Sequence, residues 1–151
     1  MRLFTLLIFI AFPIAGTAQQ QQINWLSDKE LSIKFSTKQK PILLFFHTSW
    51  CKYCKMQENT TFQDSTVISE LNKNFYVIQI DAEKEETIYF FGREYHFNSQ
   101  EKLHDLVIYL GKKEGKIEFP TAVLLNEQLE PIFHKSSFID SKELLSLIKS
   151  K

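Results

Sequence analysis

The chain has 151 residues, 44% hydrophobic and 24% charged, proportions of a soluble globular domain rather than of a disordered chain. Its 18 basic and 18 acidic residues cancel, so the charge gives no sign of a polyanionic partner such as nucleic acid. Fourteen phenylalanines point to an aromatic core.

The N-terminus has the layout of a secretory signal peptide. Met1-Arg2 supplies a positive end, Leu3 to Ala15 is almost continuously apolar, and Gly16-Thr17-Ala18 offers small residues for cleavage. Residues 1–18 are therefore read as a signal peptide and 19–151 as one domain. An uncleaved membrane anchor is the alternative. The apolar run falls short of the roughly 20 residues that span a bilayer, and it carries Pro13 and Gly16. Cleavage near Ala18 removes Arg2 alone among the charges, leaving 17 basic against 18 acidic residues and no segment to hold the protein in a membrane.

Ser27 and Glu30 form a capping box that predicts a helix to about Lys38, with Leu31 and Phe35 on one face. The alternation of Leu31, Ile33 and Phe35 leaves a strand open for this segment. After the polar break 38–41, Ile42 to Phe46 reads as a strand buried on both faces. His47-Thr48-Ser49-Trp50 leaves that strand, and Cys51-Lys52-Tyr53-Cys54 opens a helix to about Asn59. Asp64 caps a further helix over 65–72. Phe75 to Asp81 is the next strand, and strand–helix–strand in this order implies a parallel pair in an α/β sheet.

Residues 83–116 are less regular. Thr87 to Phe91 and Glu94 to Phe97 predict a hairpin turning at Gly92-Arg93, followed by a helix from Ser99 that ends at Gly111. Phe119-Pro120-Thr121 then leads into the apolar run 122–125. Asn126-Glu127-Gln128 turns the chain back, and Pro131 to Lys135 is read as an edge strand. Asp140 and Glu143 form a second capping box for a final helix carrying Leu144, Leu145, Leu147 and Ile148.

The two cysteines carry the chemistry. A loop closed across two intervening residues removes little unfolded-chain entropy, so a structural staple explains the spacing poorly. Zinc wants four ligands; there is no second cysteine pair, and His96 and His104 are eight apart. A redox dithiol remains. The thiolate is the attacking species in disulfide exchange, and an ordinary Cys is mostly protonated at neutral pH. Cys51 gains from the helix N-terminus, from Lys52 and Lys55, and from a hydrogen bond involving Cys54. Cys51 is thus the candidate nucleophile and Cys54 the resolving residue. No metal or other cofactor is called for.

The stretches Phe45 to Lys55, Ile80-Asp81-Ala82 and Phe119-Pro120-Thr121-Ala122 resemble the thioredoxin superfamily, over about residues 25–150. Within it the chain is most similar to exported or periplasmic bacterial thioredoxin-like proteins. Thr61 to Val67 is similar to a stretch in the C-terminal domain of the membrane thiol–disulfide interchange protein. The resemblance implies a thioredoxin fold: a central mixed sheet flanked by helices, with the hairpin and helix of 83–118 inserted before the strand that follows a cis proline. It implies that Pro120 is that cis proline, and that Phe119 offers its backbone to an extended substrate. Trp50, Lys52 and Tyr53 would border the same substrate site, although Trp50 filling a core gap stays open.

The chain departs from the family pattern at two places. The buried acid six residues before the first Cys is Phe45 here, and its companion lysine aligns with Gln79. Losing both together is sensible, because either charge alone is costly to bury. His47 is open to two readings, a substitute base or an idle, partly exposed histidine. The aromatic residues Tyr89, Phe90, Phe91, Tyr95 and Phe97 are expected to form the core of the insertion, with a partner surface as the alternative. The expectation is an exported or periplasmic enzyme that reduces protein disulfides with electrons from a membrane donor. The rivals are a binding module with a structural disulfide, an oxidant, and an isomerase, for which no dimerisation domain is visible.

Overall fold

The computed structural model describes residues 21–150, so the signal-peptide reading of residues 1–18 lies outside the described residues. Helix α1 (Asp28–Thr37) starts at the capping box read from the sequence: the Ser27 hydroxyl accepts the Glu30 N–H at 3.3 Å, and the Glu30 carboxylate accepts the Ser27 N–H at 2.9 Å. The backbone bond from Ser27 holds the Glu30 carboxyl below its ordinary value. Leu31 and Phe35 are buried and Ile33 is exposed, which settles the segment as a helix.

Strand β1 (Ile42–His47) is central. It pairs in parallel with β2 (Tyr76–Asp81) and antiparallel with β7 (Thr121–Leu125), which pairs antiparallel with the edge strand β8 (Pro131–Lys135), giving the order β2-β1-β7-β8. Residues alternate across the sheet as strand geometry requires. Leu43 and Phe45 face α2 (Lys52–Asn59), α3 (Ser65–Asn74) and α5 (Ser141–Lys149), where they join Cys54, Val67, Leu71 and Leu144. Ile42, Leu44 and Phe46 face the opposite layer, with Leu31, Phe35, Leu106 and Val107. The continuous apolar run of β1 is what a strand covered on both faces needs.

Two buried polar side chains fasten the chain under α2. The Gln57 carbonyl oxygen accepts the Ile139 N–H at 3.1 Å, and the Thr61 hydroxyl donates to the Ile139 carbonyl at 2.6 Å. At α5 only the forward half of the second capping box is made. Asp140 accepts the Glu143 N–H at 2.8 Å, while the Glu143 carboxylate is turned to Lys135.

The insertion differs in detail from its sequence reading. The hairpin is β3 (Ile88–Phe90) and β4 (Arg93–Tyr95), and Phe90 pairs with Arg93, so its two-residue turn is Phe91-Gly92 rather than Gly92-Arg93. Both turn residues have positive φ, 47° and 80°, as a primed hairpin turn demands. The phenylalanine ring is held edge-on against Phe35 and Phe90, at 4.8 and 4.7 Å. The helix does not start at Ser99. A second small pair, β5 (Phe97–Asn98) and β6 (Leu103–His104), occupies that stretch, and α4 (Asp105–Gly111) begins only after it. Asn98 explains the difference. Its carboxamide oxygen accepts the Gln100 and Glu101 N–H groups, turning the chain instead of letting it coil. Phe90 and Tyr95 are buried, Phe91 and Phe97 half-buried, and Tyr89 exposed, so the aromatic cluster is mainly core.

Candidate active site

The sheet brings the two halves of the site together. Strand β1 runs toward the loop His47 to Trp50 and delivers Cys51 at its end. Thr121 pairs with Phe46 across β1 and β7, so Phe119 and Pro120 precede β7 at the same end of the sheet. The Phe119–Pro120 peptide bond is cis, in agreement with the expectation for Pro120, and Pro120 is buried.

Cys51 is the N-cap residue of α2. Its Sγ accepts the Cys54 N–H at 3.0 Å, satisfying one of the amide groups that a helix start leaves unpaired. Cys51 and Cys54 are joined by a disulfide of 2.08 Å, with 5.3 Å between their Cα atoms. Both are nearly buried, 4% and 1% exposed, with Cys54 the deeper. An amide N–H aimed at the sulfur from the positive end of a helix is an arrangement that favours negative charge there.

The neighbours of the pair lie mostly in solvent. Trp50 and Tyr53 are 65% and 63% exposed, and Lys52 and Lys55 are exposed beside them. Trp50 fills no core gap. Its ring stands edge-on to Phe119, 6.4 Å between centroids, and its Nε1–H donates to Glu83 at 3.0 Å. Trp50 therefore ties the redox loop both to the residue before the cis proline and to the first residues of the insertion.

Below the dithiol the departures from the family pattern are packed as apolar structure. Phe45 is fully buried, with ring centroids 4.9 Å from Phe62 and 6.3 Å from Trp25. Gln79, its register partner on β2, donates from its side-chain amide to the Glu58 carboxylate at 2.7 Å. An open cleft of about 300 Å³ is lined by Trp25, Glu58, Phe62 and Gln79 among others. His47 stacks on Phe45, 5.8 Å between centroids and 11° between planes, and its carbonyl accepts the Ala82 N–H.

Two residues escaped the sequence reading. Glu58 lies one turn beyond Cys54 on the same helix, and that spacing was a usable signal. Glu83 sits in a run of four charged residues, Glu83 to Glu86, and nothing in that run marks it. His96 and His104 do not converge on a metal. His96 contacts Thr87, whereas His104 is buried against the Glu86 carbonyl, and among the described residues no group of His, Cys, Asp or Glu is placed to hold an ion. Nor is any described helix long and apolar enough to cross a membrane.

Comparison with known proteins agrees with this geometry. A family model described as a thioredoxin-like domain matches residues 28–151. The thiol:disulfide interchange protein DsbD of Campylobacter jejuni, in each of two strains, is 25% identical over 121 residues. That match covers 80% of this chain and 18% of DsbD, so the chain spans less than a fifth of the length of the curated relatives it matches. Among solved structures, a DsbH oxidoreductase has a TM-score of 0.59 at 19% identity, covering 97% of this chain and 93% of its own. A thioredoxin from Thermus thermophilus has a TM-score of 0.61 at 18% identity, covering 85% and 86%. At these identities the two structures speak for the fold alone.

Proposed function

Because the chain belongs to the thioredoxin-like domain family, we propose that it is a thiol–disulfide oxidoreductase that acts outside the cytoplasm and runs as a reductant of protein disulfides. The observation that carries this reading is Cys51 at the N-cap of α2, bonded to Cys54 and set at the sheet end where the cis Phe119–Pro120 bond lies. Export rests on the pattern of residues 1–18, with cleavage near Ala18 leaving a periplasmic or secreted domain.

In the proposed cycle the Cys51 thiolate attacks one sulfur of a partner's disulfide and forms a mixed disulfide, releasing the partner's first thiolate. Cys54, as thiolate, then attacks Cys51 Sγ. The intramolecular disulfide forms and the second partner thiolate leaves. Two electrons pass to the partner, whose thiolates take up the two protons given up by the dithiol. A membrane thiol donor then returns the pair to its reduced state. Phe119 and Pro120 position the partner's extended chain by strand-like pairing, and Trp50, Lys52 and Tyr53 border it.

A Cys54→Ser variant tests the cycle, because it stops after the first step. Mixed disulfides on Cys51, released by reductant, are the expected result when the variant meets exported proteins. Retention of full exchange activity by Cys51→Ser would overturn the mechanism. A reduction potential close to that of strong oxidants would overturn the reductive direction while leaving the mechanism in place.

A further inference from the structure

Seven large hydrophobic side chains are conspicuously exposed among the described residues, and three of them, Trp50, Tyr53 and Met56, fall in the seven residues that carry the dithiol. A soluble chain gains nothing by leaving such side chains in water beside a reactive disulfide unless a partner covers them. Lys52 and Lys55 are exposed in the same stretch, and neither forms an ion pair with a described carboxylate. The carboxylates of Glu58 and Glu83 keep their charge but are held away from an ion pair by neutral donors, the Gln79 amide and the Trp50 indole.

We propose that Lys52 and Lys55, set among Trp50, Tyr53 and Met56, select protein partners whose reactive disulfide is flanked by acidic and by aromatic or aliphatic residues. This rests on the reading that the dithiol exchanges with protein disulfides, and it names the class of protein. Two unpaired cations at the docking face raise the encounter rate of an acidic segment and depress that of a basic one. The exposed rings and the Met56 side chain supply apolar area that such a segment covers on docking. The lysines also favour the Cys51 thiolate, but that effect is common to all partners and cancels when two substrates are compared.

The test uses the reduced protein and three disulfide-bridged peptides of one length. Their flanking residues are Asp with Phe, Lys with Phe, and Asp with Ser, and single-turnover exchange is followed for each. The Asp–Phe peptide is expected to react about tenfold faster than the Lys–Phe peptide at low salt. This ratio should fall toward one at about 0.5 M salt, where screening extends over only a few ångströms. It should also fall toward one in the Lys52→Gln/Lys55→Gln double variant, whatever that variant does to the thiolate. The Asp–Ser peptide should be the slower of the two acidic ones. Equal rates for Asp–Phe and Lys–Phe would overturn the inference and leave the reductase reading intact. A faster Lys–Phe peptide would also overturn it, handing the docking face to Glu83 and the exposed Glu118. Exchange with none of the three would remove the reading and the inference together.

Discussion

The side-chain amide of Gln79 donates to the carboxylate of Glu58 at 2.7 Å, linking the strand beside the buried Phe45 to the helix that carries the dithiol. Gln79 stands where the resemblance to the thioredoxin superfamily places a lysine, and the bond sets one titratable group a turn beyond Cys54. Both partners are half-buried, so removing either leaves the other short of a bond. Glu58→Leu and Gln79→Leu are each expected to cost about 1–2 kcal/mol, with the double variant costing less than their sum. Urea unfolding of the four proteins gives the coupling. Additive losses would show that the bond contributes nothing.

The Trp50–Glu83 bond predicts a different signature, since both residues lie at the surface. Glu83→Ala frees the indole from one of its two anchors and leaves the edge-on contact with Phe119. At so exposed a site the bond contributes up to about 1.4 kcal/mol, so exchange is expected to slow by up to about tenfold. The thermal midpoint should move little, because nothing in the core changes. Glu83→Gln keeps an acceptor for the indole and is expected to retain most of the rate. A rate that follows charge, with Gln as slow as Ala, would rule out positioning of Trp50 as the cause.

The parts of this molecule that were legible in the sequence share one property: they are specified by residues close together in the chain. The capping box at Ser27, the apolar run 42–46 and the Cys-x-x-Cys at a helix start are all local, and each stands where it was expected. The pairing of that motif with Pro120 came from resemblance, because 66 positions separate Cys54 from Pro120 and no local pattern joins them. Between those limits lies the insertion. Its hairpin was visible, but the turn slipped by one residue, because Phe91 accepts a positive φ that sequence reasoning reserves for Gly or Asn. The start of α4 was placed six residues early, because the helical spacing of Leu103, Leu106, Val107 and Leu110 says nothing of the Asn98 turn. Glu83 was illegible for a simpler reason: its role depends on Trp50, 33 residues away.

His104 couples the insertion to pH. It is fully buried at the N-cap of α4, with Nδ1 accepting the Leu106 N–H at 3.3 Å and Nε2 3.0 Å from the Glu86 carbonyl. That arrangement needs a neutral ring with its proton on Nε2, and burial pushes its pKa below the ordinary 6.5. The unfolded chain therefore binds a proton more readily than the folded one between the two values. The stability contributed by neutral His104 is fully present above about pH 6.5 and is lost as the pH falls through the depressed folded value. The loss is at most about 1.4 kcal/mol per pH unit. His104→Asn retains an N-cap acceptor but cannot titrate. Its unfolding free energy is expected to be lower at neutral pH and flatter below it. Parallel pH curves for the two proteins would exclude His104 as the source.

Phe45 offers the sharpest test of how the site is built. Its ring is fully buried among Trp25, Phe62 and the stacked His47, so Phe45→Ala should cost about 3–5 kcal/mol. Phe45→Asp adds a carboxyl to the same apolar pocket, and desolvation must raise its pKa in the folded state. The folded form then binds the extra proton more tightly than the unfolded one, so stability relative to wild type should improve from about pH 7 to about pH 5. This is opposite in sign to the His104 effect, which both proteins share and which cancels in the difference. Adding Gln79→Lys places a cation at the register partner and should recover part of the loss at neutral pH, as a measurable coupling between the two substitutions. If Phe45→Asp alone were tolerated at neutral pH with no change on acidification, the pocket would have to be wet. The aromatic packing around Phe45 could not then be what supports the helix beneath Cys51 and Cys54.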